Sequence, residues 1–548
     1  MSRQAANKPV DRLFEHYNRP GSPGCALGVM QGGKLVYKKG YGLANLEYNI
    51  PITPATLFPV ASMAKQFTAM AVALLANEGA LSLDDDIRTH LPEVPDFGTP
   101  ITIRHLIHHT SGLRGDLMLL LSSGWRLEDA ITNEDVIALV KRQRELNFPP
   151  GEQFSYCGTG YLLLALIVEQ VSSTSFSAFC QERIFEPLGM AHTLFQDETL
   201  QVIKDRAYAY YPADSSGYQN AILTCSLVGG TGLFTSIDDL ALWDENLSTG
   251  RVGGPAVIEQ MQQRGVLNSG RQIDYAFGLI ADTYQGLKVI YHGGDGAGIH
   301  SFMMRFPGED FCVAILGNCS TVNARGLAAQ VADLFLANQY VVEAVKTNVP
   351  ETIELASEQL VPWTGRYFDP GSSTFVDVEH KDGRLRVWGY ELLPVSETSF
   401  IFAASPDATA NFSPARESEP IQVQIDLGRG PTNYTRFETA APSADDLAAY
   451  CGRYYSPELD VHWTVALAGD HLSIHRRKQG SSSLAPMIPD VFTDAWIGQI
   501  LHSPGKPWIL AFDRDENRTV SGFRVSDAGG TLRNLKFFRQ ETKSRQAF

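Results

Sequence analysis

Apolar and polar positions along the first part of the chain follow two rhythms. CALGVM and KLVYKKGYG are β-rich runs split by Gln31-Gly32-Gly33, a spacing that predicts a hairpin. Further on, Phe67, Met70, Ala71, Leu74 and Leu75 fall at i, i+3, i+4, i+7 and i+8, and Gly79 ends the pattern. That period predicts an amphipathic helix. Another helix is predicted ahead of the hairpin, in VDRLFEHYN. Strand-like runs return near 276–280, 288–292, 300–306 and 311–317, and a closing helix is predicted over about 324–340. Strands at both ends with helices between them predict a mixed α/β domain over residues 1–345, an antiparallel sheet flanked by helices.

Past residue 345 short alternating strands and turns take over, and a repeat emerges. Trp363-Thr364-Gly365-Arg366-Tyr367-Phe368-Asp369-Pro370 echoes Tyr450-Cys451-Gly452-Arg453-Tyr454-Tyr455-Ser456-Pro457. Each copy precedes alternating strands and then a Leu-x-Pro, at Leu392 to Pro394 and Leu484 to Pro486. The repeat predicts two small antiparallel β-barrel domains, 355–440 and 446–548.

Composition removes several classes. Of the 548 residues, 44% are hydrophobic and 19% charged, so sizeable cores can form. A net charge of −16 opposes binding to nucleic acid or anionic lipid, and neither is expected as a partner. Seven cysteines, none in a C-x-x-C pair, suggest free buried thiols and neither a disulfide framework nor a zinc site. No run reaches the roughly 18 apolar residues of a membrane span. The N-terminus carries no apolar stretch fit for a signal peptide. A cytoplasmic location is the expectation.

Three motifs carry candidate chemistry. Ser62-Met63-Ala64-Lys65 stands just ahead of the predicted helix, so residues i and i+3 share a face and the hydroxyl lies at the positive end of the dipole. A serine needs a base, and an amine enclosed by apolar walls can be one. Alone, the motif also fits an N-cap serine and a surface lysine. Ser503 to Lys506 has the same spacing, in a Pro-Gly loop with no helix behind it. Tyr156 follows Pro149-Pro150-Gly151 at the start of an apolar helix pattern, where a phenol can relay a proton to a leaving group. His292-Gly293-Gly294-Asp295-Gly296 follows the strand LKVIY; glycines at a strand edge admit a substrate backbone, and the free N–H groups can face an oxyanion. Read singly, the second and third also fit a core tyrosine and a Gly-rich turn.

Taken together, the motifs resemble the serine β-lactamase and penicillin-binding protein superfamily, in the branch of class C β-lactamase-like esterases and D-aminopeptidases. FPVASMAKQFTAMAVALL, ITIRHLIHHTSGL, FPPGEQFSYCGTGYLLLALIVEQV, ERIFEPLGM and VGGTGLFTSIDDLALW carry the likeness. A catalytic domain with two trailing barrels is similar to the D-aminopeptidase architecture, the last barrel being lipocalin-like. The resemblance implies a serine hydrolase with Ser62 as nucleophile and Lys65 as base. It assigns Tyr156 to proton transfer, with His292 as its hydrogen-bond partner in place of the family's lysine. The N–H groups of Ser62 and Asp295 would hold the oxyanion, and no cofactor or metal would be needed. In that family a loop of the last barrel enters the cleft; the matching stretch carries Arg476, Arg477 and Lys478. One departure stands out. The family's Tyr-x-Asn is Tyr156-Cys157-Gly158 here, removing an amide that touches the lysine and the substrate carbonyl, which favours ester or thioester cleavage.

The expected function is acyl transfer through Ser62, of D-aminopeptidase type, on small amides, peptides or esters. The alternatives are a carboxylesterase, a transacylase or peptide-cyclising thioesterase, and an inactive penicillin-binding-type sensor. The expected partners are a small-molecule or short-peptide substrate and a second copy of the chain in a homodimer. His108 and His109 are expected to be structural, at a helix end.

Overall fold

A computed structural model describes residues 3–213, 217–222, 224–340, 351–372, 374–403, 405–416, 419–427, 430–495 and 507–541. Ser503 to Lys506, and the ends of the expected domains at 345 and 548, lie outside the described residues.

Six strands form one antiparallel sheet: β1 (Cys25–Gln31), β2 (Lys34–Tyr41), β3 (Ile280–Tyr284), β4 (Leu287–Gly296), β5 (Ile299–Phe306) and β6 (Phe311–Gly317). Their order is β3-β4-β5-β6-β1-β2. The predicted hairpin is β1–β2; Gly32 and Gly33 both take positive φ, as a two-residue turn between twisted strands requires. The two ends of the region meet where β1 pairs with β6, Cys25 opposite Gly317. These central strands are buried along nearly their whole length, so they read as unbroken apolar runs. Val10 and Phe14 from the N-terminal segment and Leu327, Val331 and Leu336 from the closing helix (Ala324–Leu336) cover one face. On the other side, helix Ile237–Thr249 comes so close that Ile237 leaves no room for a side chain at residue 28.

The predicted strand at 276–280 is displaced: β3 starts at Ile280. Gly278 has a φ of +66° and packs on the backbone of Lys65, where a Cβ would collide with the carbonyl. The helix predicted to be amphipathic, α1 (Lys65–Asn77), is buried from Lys65 through Leu75. It is enclosed by α2 (Gly158–Ser172), by helix Gly254–Met261 and by helix Phe176–Cys180.

The rest of the chain closes two eight-stranded barrels, Gly365–Asp369 through Pro431–Phe437 and Gly452–Ser456 through Leu535–Arg539. The repeat has a structural counterpart. Tyr367 donates to the Trp363 carbonyl at 2.7 Å, and Tyr454 donates to the Tyr450 carbonyl at 2.6 Å. Both phenols are fully buried and pin the first strand of each barrel to the turn before it.

The chain forms two compact units: Met1–Ser111, Leu127–Ala138 and Pro150–Val345 make the first, and Gly112–Arg126, Leu139–Pro149 and Lys346–Phe548 the second. Within the second unit, Arg114 is buried, donating to Glu458 at 2.6 Å and to Gln143 at 2.8 Å. Asn147 donates to the Thr531 carbonyl and accepts from the Arg533 N–H. Among the described residues, no single helix is long and apolar enough to cross a membrane.

Candidate active site

Ser62 lies in a short 3-10 turn (Ala61–Ala64) that runs directly into α1. Ala61 before it has a φ of +45°, a conformation a Cβ disfavours and the surroundings must enforce. Ser301 on β5 supplies part of that constraint by donating to the Val60 carbonyl at 2.8 Å. Lys65, 2% exposed, follows on the first turn of α1. Its Nζ donates to Ser62 Oγ at 3.2 Å and to the Gly230 carbonyl at 2.8 Å. The neighbouring Gly229 carbonyl accepts from Thr68 at 2.7 Å, so the Val228–Gly232 loop is tied to α1 twice. Sequence reasoning missed Gly230, although it lies inside the family-like run VGGTGLF. Gly158 is the first residue of α2 and brings no side chain to the lysine.

Tyr156 sits in the irregular segment before α2. Lys65 Nζ lies over its ring, 4.9 Å from the centre. Its hydroxyl is buried and has no hydrogen-bond partner among the described residues. His292 does not bond to Tyr156, which corrects the sequence expectation; the two ring centres are 6.2 Å apart. Tyr275 takes the imidazole instead. His292 Nδ1 donates to the Gly293 carbonyl at 2.6 Å, leaving Nε2 to accept from the Tyr275 hydroxyl at 2.9 Å. Burial first, and the Lys65 charge second, lower the proton affinity of His292 to a pKa of about 4, which keeps it in that neutral form. Tyr275 belongs to no motif, and nothing in its sequence surroundings marks it.

β4 outruns its neighbour. β3 pairs with it only through Tyr291, so among the described residues His292 to Gly296 pair with β5 alone. The two-residue turn at Ala297-Gly298 makes Gly296 and Ile299 a hydrogen-bonded pair, and alternation then makes Gly294 and Ser301 another. Gly293 and Asp295 fall between, so their N–H groups point away from β5, along the edge that carries no strand. The Ser62 turn packs against this stretch; a Cβ at Gly294 would meet the Val60 carbonyl oxygen at 2.0 Å and the Ser62 amide at 3.0 Å. The Asp295 side chain is exposed and bonds across the hairpin to His300 at 2.5 Å.

The structure thus brings together Ser62, Lys65, Tyr156, His292, Gly158, Gly293, Gly294 and Asp295 in the first unit. Arg476, Arg477 and Lys478 belong to the second. Arg476 is an interior residue of the last barrel, ion-paired with Asp494 and lying over Trp463 and Trp508. It is therefore no cation of an exposed loop, because its charge is neutralised where it is buried. Arg477 and Lys478 are exposed, Lys478 lying 5.0 Å over the Trp125 ring. Gln479 donates to the Leu121 and Trp125 carbonyls at 2.9 and 2.7 Å, which anchors the tip. Among the described residues, no cluster of three or more His, Cys, Asp or Glu side chains could hold a metal ion.

A family model described as Beta-lactamase matches residues 10–337. The chain belongs to the beta-lactamase family. It is a serine hydrolase of that family, in the branch that includes penicillin-binding proteins. The chain is 27% identical over 510 residues to a D-aminopeptidase of Gluconobacter oxydans, covering 92% of this chain and 93% of that one. It is 27% identical to penicillin-binding protein 4* of Bacillus subtilis over 426 residues, 73% of this chain and 93% of that one. The octameric penicillin-binding protein homologue from Pyrococcus abyssi shares the fold, with a TM-score of 0.55 at 24% identity over 80% of this chain and all of that one.

The buried histidines of this family member give it an acid-sensitive core. Burial lowers the pKa of His108, like that of His292, to about 4, and that of His109 well below the ordinary value. Between about pH 4 and the ordinary histidine pKa near 6.5, the unfolded chain binds protons the folded chain refuses. Stability therefore rises with pH across that window and falls on acidification. The melting temperature is expected to drop steadily from pH 6.5 to 4, and His108→Gln to flatten the slope. A profile unchanged by that substitution counts against the assignment.

Proposed function

We propose that the chain hydrolyses small amides, peptides or esters through an acyl-enzyme on Ser62, with the specificity of a D-aminopeptidase type. The observation that carries the proposal is the Ser62–Lys65 pair, 3.2 Å apart at the start of a buried helix and packed against a strand edge with outward N–H groups. Lys65 Nζ takes the proton as Ser62 Oγ attacks the substrate carbonyl. The Ser62 and Asp295 N–H groups hold the oxyanion that forms. Tyr156 passes the proton to the leaving group as the carbonyl re-forms and the bond to that group breaks. Water then repeats the sequence and frees the acid. Likeness to a D-aminopeptidase over 92% of the chain, barrels included, supports the substrate class.

Gly158 favours a second reading, ester cleavage. With no amide side chain there, Lys65 is held on its far side by the Gly230 carbonyl, which cannot donate to a substrate amide. For one D-alanyl acyl group, the ester is expected to turn over faster than the anilide. Intact mass should show a transient adduct that Ser62→Ala abolishes. A faster anilide would restore the strict aminopeptidase reading, and an adduct that survives Ser62→Ala would move the nucleophile elsewhere.

A further inference from the structure

Tyr156 packs its ring beside that of Tyr275, centres 6.0 Å apart, and buries its hydroxyl. Its backbone, however, is held on both sides by one residue. The Ser155 N–H donates to the His109 carbonyl at 2.9 Å. The Cys157 N–H donates to His109 Nδ1 at 3.1 Å. The imidazole also lies against the phenol, ring centres 4.3 Å apart. His109 follows helix Ile103–Ile107 with a φ of +57°, the left-handed turn that ends the helix: its N–H donates to the Leu106 carbonyl and the Thr110 N–H to the His105 carbonyl. It is 1% exposed, and its Nε2 has no hydrogen-bond partner among the described residues. The helix end accounts for the φ; it does not require the ring's bond to the Cys157 N–H or its contact with the phenol.

We propose that His109 is the positioning residue for Tyr156, gripping the residues before and after it so that the phenol faces Lys65. The inference rests on the proton-relay reading of Tyr156 above. The grip needs Nδ1 as an acceptor, hence a neutral ring, and burial keeps the ring neutral. Were His109 protonated, Nδ1 would carry a hydrogen and the Cys157 N–H would lose its acceptor.

The test is turnover on esters of one acyl group whose alcohols range from nitrophenol to ethanol, in the full-length chain. His109→Gly accepts the φ but removes the acceptor; His109→Asn accepts the φ and keeps an acceptor oxygen near the place of Nδ1. His109→Gly is expected to lower kcat about 10-fold or more on the poor leaving groups, where protonation limits the rate, and to spare the nitrophenyl ester. KM should hold, and His109→Asn should recover most of the loss. In a Tyr156→Phe background, His109→Gly should add nothing, because both changes remove one relay. An equal loss along the whole series, additive losses in the double variant, or no recovery in His109→Asn would each overturn the proposal. If His109→Gly does not fold, His109→Asn decides alone: a near-normal leaving-group profile supports the clamp, and one as steep as that of Tyr156→Phe overturns it. A Tyr156→Phe chain with an unchanged profile would instead sink the relay reading itself.

Discussion

Lys65→Ala is expected to lower kcat on an activated ester by at least about 100-fold, while the melting temperature stays close to that of the parent. The ester's leaving group departs without protonation, so only formation and hydrolysis of the acyl-enzyme are read. Lys65 Nζ is the basic nitrogen in hydrogen-bond contact with Ser62 Oγ. Removing it leaves the hydroxyl with no acceptor for its proton in the transition state, and also frees the Gly230 carbonyl. Lys65→Arg separates charge from basicity: a guanidinium stays protonated at any working pH and should be as inactive as alanine. Near-normal turnover in either variant would remove Lys65 from the mechanism.

Glu458→Ala should destabilise the second unit by about 3–5 kcal/mol, the usual result of leaving a buried guanidinium without its carboxylate. Glu458 accepts from Arg114 and also from the Arg144 N–H at 2.9 Å, so one truncation orphans two donors. Arg114 and Glu458 are both nearly inaccessible, at 1% and 5% side-chain exposure, so water cannot replace the lost partner. The double variant Arg114→Met, Glu458→Leu should regain much of the loss, because it buries no unpaired charge. Urea unfolding followed by the fluorescence of Trp463 and Trp508, both inside the last barrel, would report it. If Glu458→Ala unfolds at the parental urea concentration, the ion pair is not buried as described.

Local rules carried much of the fold. The β1–β2 turn needs two residues with positive φ, and only Gly32-Gly33 offers them; the spacing of Ser62 and Lys65 puts them on one face of a turn whatever surrounds it. The misses are contacts made across the fold. Tyr275 meets His292 from the segment ahead of β3, where Gly278 packs on Lys65, contacts no local pattern encodes. Gly230 reaches Lys65 through a backbone carbonyl, which any residue would carry. Arg476 looked like part of a basic loop because three cations stand in a row, but Arg476 alternates inward on its strand while Arg477 does not. His109 read as a helix end, which it is; its second task depends on where the 152–157 segment returns.

The half-strand at the end of β4 has one more consequence, for solubility. A sheet margin with unclaimed N–H groups invites another chain to add on, the usual route to aggregates. Here the invitation is brief. It covers Gly293 to Gly296, three glycines in four residues with poor adhesive surface, and the one side chain among them is the solvent-facing carboxylate of Asp295. That charge acts as a gatekeeper against self-association. An apolar β-branched residue at 295 would lengthen the sticky margin, and such a variant should precipitate on concentration while the parent stays clear.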